Sequence, residues 1–342
     1  MQNVQVNLKQ NPYEITFDSL SNLGERIRPL VKGENLLVVT DDNVARFYLA
    51  KVKGSLEEKG FNVFETVVTS GEASKTPATY LSLVNELAKH GFLRDDTVVA
   101  LGGGVVGDMA GFAAATYMRG INLVQVPTSL LAMIDSAIGG KVGVDLSEGK
   151  NLLGAFYQPK LVFTDVKTLD TLPKEEWQNG LGEGLKYALL AGGRTFEIMD
   201  GDVKSNIEEF VRLCAQYKAK IVEADEKESG LRRLLNLGHT IGHAIEKKSG
   251  YTIPHGKAVK YGLAFILRAS SKLGADAGAI EKAEKLLVKY GADCPYDICE
   301  LLPLVKNDKK AESDSINAVF VKSIGDCYVK KISFEDFARL FG

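Results

Sequence analysis

Only four of the 342 residues are cysteine, and no two of them (Cys214, Cys294, Cys299 and Cys327) form a CxxC pair. That spacing excludes a zinc knuckle or dithiol redox motif and suits reduced thiols in a cytosolic protein. Excess charge of one sign is also lacking: the net charge is -2, which gives no reason to expect nucleic acid or an anionic membrane as partner. No apolar run reaches membrane-spanning length, and Met1–Gln10 is polar with no apolar signal core. A cytoplasmic location is therefore expected. Internal repeats and low-complexity segments are absent. Histidine is scarce as well, with four in all, yet three of them, His239, His243 and His255, crowd into one short stretch.

With 45% hydrophobic and 25% charged residues the chain is ordinary for a globular protein, and its length suggests two domains. Apolar, β-branched runs at Leu36–Thr40, Val63–Val68, Thr97–Leu101 and Leu123–Val126 alternate with helical patterns at Ala45–Lys59, Thr76–Lys89 and Asp108–Tyr117. This alternation predicts an α/β N-terminal domain with a Rossmann-like, mostly parallel sheet. Beyond Leu172-Pro173 the segments read as helices, clearest at Lys204–Glu226 and Leu231–Lys248, until β-branched runs return at Ile316–Lys322 and Tyr328–Ile332. The expected division is residues 1–165 as a nucleotide-binding α/β domain and 166–342 as a mainly α-helical metal- and substrate-binding domain. The active site is expected in the cleft between them.

The segment after each predicted strand is rich in Gly, Asp, Asn, Ser and Thr, and open parallel sheets bind ligands beyond the carboxyl ends of their strands. Gly102-Gly103-Gly104-Val105-Val106-Gly107 formally matches GxGxxG between a strand and a helix. It lacks an acidic residue about 20 positions on, where Pro127 stands, although Glu72 on an earlier strand end could serve a ribose. Alone, the loop fits either a dinucleotide pyrophosphate at a helix N-terminus or a tight packing turn.

Arg232, Asn236, His239 and His243 recur at i, i+4, i+7 and i+11, which predicts one polar face on a Leu231–Lys248 helix. Gly238 and Gly242 would each weaken such a helix by roughly 1 kcal/mol, so close packing or a ligand should explain them. His239 and His243 at i, i+4 could both bind zinc, but Thr240 occupies the position of the catalytic Glu in HExxH, which disfavours a metalloprotease. His255 or Glu183 could complete a three-ligand site with an open position. Lys141 and Lys150 sit beside glycines, where close backbone approach suits phosphate or carboxylate recognition.

Together these segments resemble the 3-dehydroquinate synthase family of sugar-phosphate cyclases. The likeness is carried by Gly102–Gly120 (GGGVVGDMAGFAAATYMRG), Val126–Asp145 (VPTSLLAMIDSAIGGKVGVD) and Gly149–Pro159 (GKNLLGAFYQP). It continues through Gly180–Tyr187 (GLGEGLKY), Leu231–Glu246 (LRRLLNLGHTIGHAIE), His255-Gly256 and Asp308-Lys309-Lys310. The resemblance implies a zinc site, cobalt being an alternative, on Glu183, His239 and His255. It implies an NAD+ site at Asn43, Glu72, Lys75, Gly104, Val105, Asp108, Thr128, Ser129, Lys141 and Lys150, closed over by Thr168, Leu169 and Thr171. Lys141, Asn151, Lys186, Arg232 and His243 would be catalytic. Asp135, Lys218, Asn236, one of Lys309 and Lys310, and Arg119 from the partner subunit of a homodimer would bind substrate.

The implied reaction takes 3-deoxy-D-arabino-heptulosonate 7-phosphate to 3-dehydroquinate and phosphate. It runs through transient oxidation by NAD+, phosphate elimination, re-reduction, ring opening and an aldol closure. Another sugar-phosphate cyclase, such as 2-deoxy-scyllo-inosose synthase, and a metal-dependent polyol dehydrogenase are the alternatives. The chain departs from the family pattern at Lys257, usually Glu, and at Ser129, Val142 and Asp145.

Overall fold

The computed structural model describes residues 2–308 and 315–341. Its contacts divide the chain into two compact units, Met1–Pro173 with Lys218–Glu223, and Lys174–Tyr217 with Ala224–Gly342. The first unit runs through Pro173. The reason is local: the Asp165 carboxylate accepts from Leu20 N at 2.9 Å, and Tyr48 Oη donates to Thr168 O at 3.2 Å, tying the 166–171 turn to the first unit.

The strands of the first unit are β1 (Val4–Val6), β2 (Tyr13–Phe17), β3 (Asn35–Asp41), β4 (Asn62–Val68), β5 (Thr97–Gly102), β6 (Asn122–Pro127), β7 (Lys141–Leu146), β8 (Gly149–Phe156) and β9 (Leu161–Thr164). Its helices are α1 (Leu23–Ile27), α2 (Asp42–Glu57), α3 (Pro77–Lys89) and α4 (Gly104–Thr116). Seven strands form one sheet in the order β1-β2-β9-β6-β5-β3-β4. Every pair is parallel except β1 with β2. All six residues of β5 are buried, as a central strand covered on both faces requires.

Alternation along β3 feeds two cores. Leu37 and Val39 join a cluster with Leu83, Leu87 and Met109. Leu36 and Val38 join one with Leu23, Ile27 and Leu56 on the opposite face. The chain passes from β3 to one neighbour, β4, then returns to the other, β5, so the strand order reverses at the carboxyl ends of β3 and β5. Such a reversal is where doubly wound sheets bind ligands. The four β-branched runs read from the sequence lie within β3, β4, β5 and β6, and the three helical patterns coincide with α2, α3 and α4 to within one or two residues at the ends where they overrun. The strands β1, β2 and β9 and the β7–β8 hairpin are additions that the sequence pattern does not announce.

In the second unit the helices are α5 (Lys174–Ala191), α6 (Gly193–Asp200), α7 (Ile207–Ala224), α8 (His239–Lys248), α9 (His255–Lys272), α10 (Ala277–Lys289), α11 (Ile298–Asp308) and α12 (Phe334–Arg339), with the antiparallel pair β10 (Ser315–Ser323) and β11 (Asp326–Ser333). One stretch of α7, Lys218–Glu223, groups with the first unit. No helix among the described residues is long and apolar enough to cross a membrane.

One element differs in kind from the sequence reading. Leu231–Lys248 is not a single helix: a 3₁₀ turn over Leu231–Asn236 is followed by a break, and α8 starts at His239. Gly238 makes the break with φ 81°, a left-handed conformation that glycine adopts without cost. Its carbonyl lies against α9, where a Cβ on Gly262 would come 2.0 Å from Gly238 O. Arg232 and Asn236 therefore do not share a helix face with the two histidines.

Candidate active site

Glu183 on α5, His239 at the start of α8 and His255 at the start of α9 bring one ligand atom each to within 4.8 Å of one another. Glu183 is 1% exposed. Its Oε1 lies 3.1 Å from His255 Nε2 and 3.4 Å from His239 Nε2, and its Oε2 lies 2.5 Å from Lys186 Nζ. One carboxylate oxygen thus faces the imidazoles, while the other is held by a buried ammonium one helical turn on.

His239 Nδ1 lies 3.2 Å from Leu237 O, so that nitrogen carries the proton and donates it, leaving the Nε2 lone pair toward Glu183. Burial holds the His239 pKa well below the usual range, and the positive charges of Lys186, His255 and His243 add to this. The neutral imidazole is the form that binds metal. For His255 burial acts the same way, but the hydrogen bonds and charges of Glu183 and Glu246 outweigh it and push its pKa up to about 10. Two imidazoles and one carboxylate, with Glu183 and His239 buried and His255 half-buried, are the donor chemistry of a three-ligand zinc site with an open position, so these residues fit a divalent metal.

His243 stands one turn along α8, exposed, with its ring 5.5 Å from that of His239 and 6.1 Å from that of His255. Lys257 is exposed, with Nζ 6.0 Å from the centre of the Tyr261 ring.

Arg232 is 2% exposed, and its guanidinium donates to Glu226 O. Asn236 Nδ2 donates to Glu228 Oε1 at 2.6 Å. Both depend on a loop that Asp225 organises. Its carboxylate accepts from Ser229 N (2.8 Å), Gly230 N (2.6 Å), Arg232 N (3.0 Å) and Ser229 Oγ (3.0 Å). Burial would raise the Asp225 pKa, but the donors of Arg232, Gly230 and Ser229 prevail and lower it to about 2. The depressed value sets the sign: this stabilisation is complete above the ordinary carboxylate value of 3.8 and is lost as pH falls toward 2. An Asp225→Ala chain is therefore expected to melt below wild type at pH 7, with the gap narrowing as thermal scans move from pH 4 toward pH 2. A gap independent of pH would refute the assignment.

In the first unit the carboxyl end of β5 runs into α4, whose N-cap Gly103 has no side chain to cap the first-turn N–H groups. Gly104 and Val105 lie in that turn. A Cβ on Gly104 would lie 3.0 Å from Ser136 Oγ, and that hydroxyl is buried without a hydrogen-bond partner. Thr128 and Ser129 follow β6, with Thr128 N donating to Gly102 O at 2.9 Å. Uncapped N–H groups at a helix start and an unpaired buried hydroxyl beside them fit a dinucleotide phosphate.

Asn43 opens α2 beyond β3, with Nδ2 2.8 Å from Ser70 Oγ. Lys75 is 4% exposed and donates to Asp108 Oδ2 (2.6 Å) and Asn151 Oδ1 (2.5 Å). Asn151, at φ 57°, is pinned through its own N–H by Asp145 Oδ1 at 2.8 Å. Lys150 Nζ lies 3.5 Å from Glu72 Oε1. Lys218 Nζ forms an ion pair with Asp135 and also donates to Asp135 O at 2.6 Å. Thr168, Leu169 and Thr171 share the 3₁₀ turn Val166–Thr171, where Tyr48 Oη reaches Thr171 Oγ1 at 2.7 Å.

Lys141 is exposed at the start of β7, and Arg119 is exposed on a turn where Met118, Arg119 and Gly120 have φ of 52°, 66° and 118°. Lys309 and Lys310 lie outside the described residues. Sequence reasoning missed Glu228 as the partner of Asn236, Asp225 as the organiser of their loop, and Glu246. Only Glu246 left a signal, standing seven residues after His239 on the same helix.

A mostly parallel sheet followed by a helical unit is the fold of the sugar-phosphate cyclases. The chain is similar to 2-deoxy-scyllo-inosose synthase complexed with carbaglucose-6-phosphate, NAD+ and Co2+, with TM-score 0.88 and 25% identity over 99% of each chain. It is likewise similar to 2-epi-5-epi-valiolone synthase from Streptomyces hygroscopicus with NAD+ and Zn2+ bound, with TM-score 0.85 and 25% identity over 98% of this chain and 97% of the other. Sequence narrows the class. The 3-dehydroquinate synthase N-terminal and C-terminal family models match residues 65–179 and 180–311. A 3-dehydroquinate synthase of Clostridium acetobutylicum is 42% identical over 350 aligned positions, covering 98% of each chain. The chain belongs to the 3-dehydroquinate synthase family.

Proposed function

We propose that the chain carries out its family's reaction, converting 3-deoxy-D-arabino-heptulosonate 7-phosphate to 3-dehydroquinate and inorganic phosphate, with NAD+ and Zn2+ as cofactors, as a cytoplasmic homodimer. The observation that carries this reading is the Glu183, His239 and His255 donor set with Lys186 beside it, in a chain 42% identical over 98% of its length to a 3-dehydroquinate synthase. Similar solved structures hold NAD+ with Co2+ or Zn2+, which supports both cofactors. Four cysteines without disulfides among the described residues suit a reducing compartment.

When bound, NAD+ supplies a reversible hydride acceptor and the metal supplies Lewis acidity toward the substrate hydroxyls. The remaining work falls to the chain. Asn43, Glu72, Lys75, Gly104, Val105, Asp108, Thr128, Ser129, Lys150 and the 168–171 turn would hold the dinucleotide. Lys141, Asn151, Lys186 and Arg232 would orient the substrate carboxylate and phosphate, a contribution of positioning. Asp135, Lys218, Asn236, one of Lys309 and Lys310, and Arg119 from a second copy would complete substrate binding. His243, exposed one helical turn from His239, would pass protons to and from a substrate hydroxyl.

The test is to incubate the chain with this substrate and NAD+, with and without EDTA, following phosphate, dehydroquinate and NADH together. One phosphate per dehydroquinate is expected, with no net NADH, loss of turnover in EDTA and recovery with Zn2+. No phosphate release after zinc is restored would sink the reading. Net NADH formation on a simple polyol would favour a dehydrogenase.

A further inference from the structure

Glu246 has no part in the proposed reaction, yet it is a buried carboxylate, 4% exposed, beside the proposed metal donors. It lies on α8 at i+7 from His239 and i+3 from His243, so all three share a face. Its Oε2 is 3.2 Å from His255 Nδ1, while the opposite ring nitrogen, Nε2, is 3.1 Å from Glu183 Oε1.

The main chain of the same residue also shapes the connection to α9. Glu246 O accepts from Tyr251 N at 2.8 Å and from Ser249 Oγ at 2.9 Å, and Ser249 Oγ accepts in turn from Ile253 N at 3.3 Å. Gly250 and Tyr251 take left-handed φ of 59° and 63° to make the turn. The loop is thus folded back on the last turns of α8, and His255 arrives against the Glu246 side chain.

We propose that Glu246 is a positioning residue for the metal centre. It takes the Nδ1 proton of His255 as a hydrogen bond, fixing the tautomer in which Nε2 offers its lone pair toward Glu183 and His239. The inference rests on the reading of Glu183, His239 and His255 as metal ligands. An outer carboxylate on a ligating histidine orients the ring and raises its basicity. Glu246 also forms a second three-donor group with His243 and His255. A metal there would have to take Nδ1 of a ring already committed through Nε2, which means stripping the ring of its last N–H proton. Accepting that proton is the less costly role for the carboxylate.

Metal binding tests this directly, without turnover. Zn2+ affinity is measured by competition with a chromogenic chelator, and Co2+ complexes are compared by visible absorption, for wild type, Glu246→Gln and Glu246→Ala, each with a thermal melt of the apo chain. Wild type is expected to bind one metal per chain. Glu246→Ala should lose roughly 10- to 100-fold in affinity with an altered Co2+ spectrum. Glu246→Gln, whose amide oxygen still accepts from Nδ1–H, should lie between them with an apo melt close to wild type. Unchanged affinity and spectrum in Glu246→Ala would overturn the proposal and leave the metal centre standing. Two metals in wild type and one in both variants would overturn it in favour of Glu246 as a ligand. A wild-type chain that takes up neither ion would remove the metal reading and this inference with it.

Discussion

Alanine at position 239 is expected to empty the metal position and take turnover to background, whereas alanine at 243 should leave one metal per chain and lower the rate. The two histidines share a helix face at i, i+4, and the difference between them lies in their surroundings. His239 is 9% exposed, its Nδ1 is tied to Leu237 O, and its Nε2 is turned to Glu183. Removing it leaves two of three ligands, too few to hold a catalytic zinc. His243 is exposed and stands one ring away from both other imidazoles, a place from which it can exchange protons with solvent and substrate. Loss of a general acid–base group costs roughly 10²- to 10⁴-fold. Metal content of the purified variants and single-turnover phosphate release check the division. Loss of metal from His243→Ala would make it a ligand, and metal with normal turnover in His239→Ala would remove His239 from the site.

Much of this arrangement is legible in the sequence because the signals are local. A five-residue, β-branched run such as Thr97–Leu101 followed by three glycines reads as a strand and a turn, and the structure has both, with β5 extending to Gly102. The crowding of three histidines at 239–255 points to a candidate metal group, whereas the choice of Glu183, His239 and His255 as its donors comes from the family resemblance. The face carrying Arg232, Asn236, His239 and His243 misleads for a physical reason: a 3.6-residue period continues smoothly across Gly238. Its φ of 81° is set by the approach of α9, a tertiary contact that no local pattern records. β2 and β9 escape notice because they are short, five and four residues, and because they pair with each other across a long stretch of chain. Asp225 and Glu228 sit in a loop where hydrogen bonding, not periodicity, decides which side chain goes where. Glu246 is within reach of a sequence argument, since its spacing from His239 repeats the helical period.

A tertiary contact of the same hidden kind makes Gly256→Ala strongly destabilising. A Cβ on Gly256 would lie 1.8 Å from Asn179 O, and a Cβ on Gly182 would lie 1.8 Å from Gly256 O. Both obstacles are backbone atoms, so no side chain can rotate to relieve them, and α5 and α9 must move apart. Gly256 N would then also lose its 2.7 Å hydrogen bond to Asn179 Oδ1. The displaced backbone is the part that matters for chemistry, because Glu183 follows Gly182 and His255 precedes Gly256. Overpacking a filled interior commonly costs ~1–3 kcal/mol, and a main-chain collision on this scale belongs at the upper end or beyond it. Metal affinity should fall together with stability, since two of the three donors sit on the helices that are forced apart. Gly54→Ala in α2, where a Cβ meets nothing within 4 Å, is the control and should be neutral or stabilising by ~0.4–1 kcal/mol. Denaturant unfolding of apo protein and Zn2+ titration of both variants decide the matter. If Gly256→Ala unfolds at the wild-type midpoint and binds zinc as tightly, the close helix contact does not set the donor geometry. If it loses stability but keeps its affinity, the ligand positions tolerate a shift that so close a helix contact should not allow.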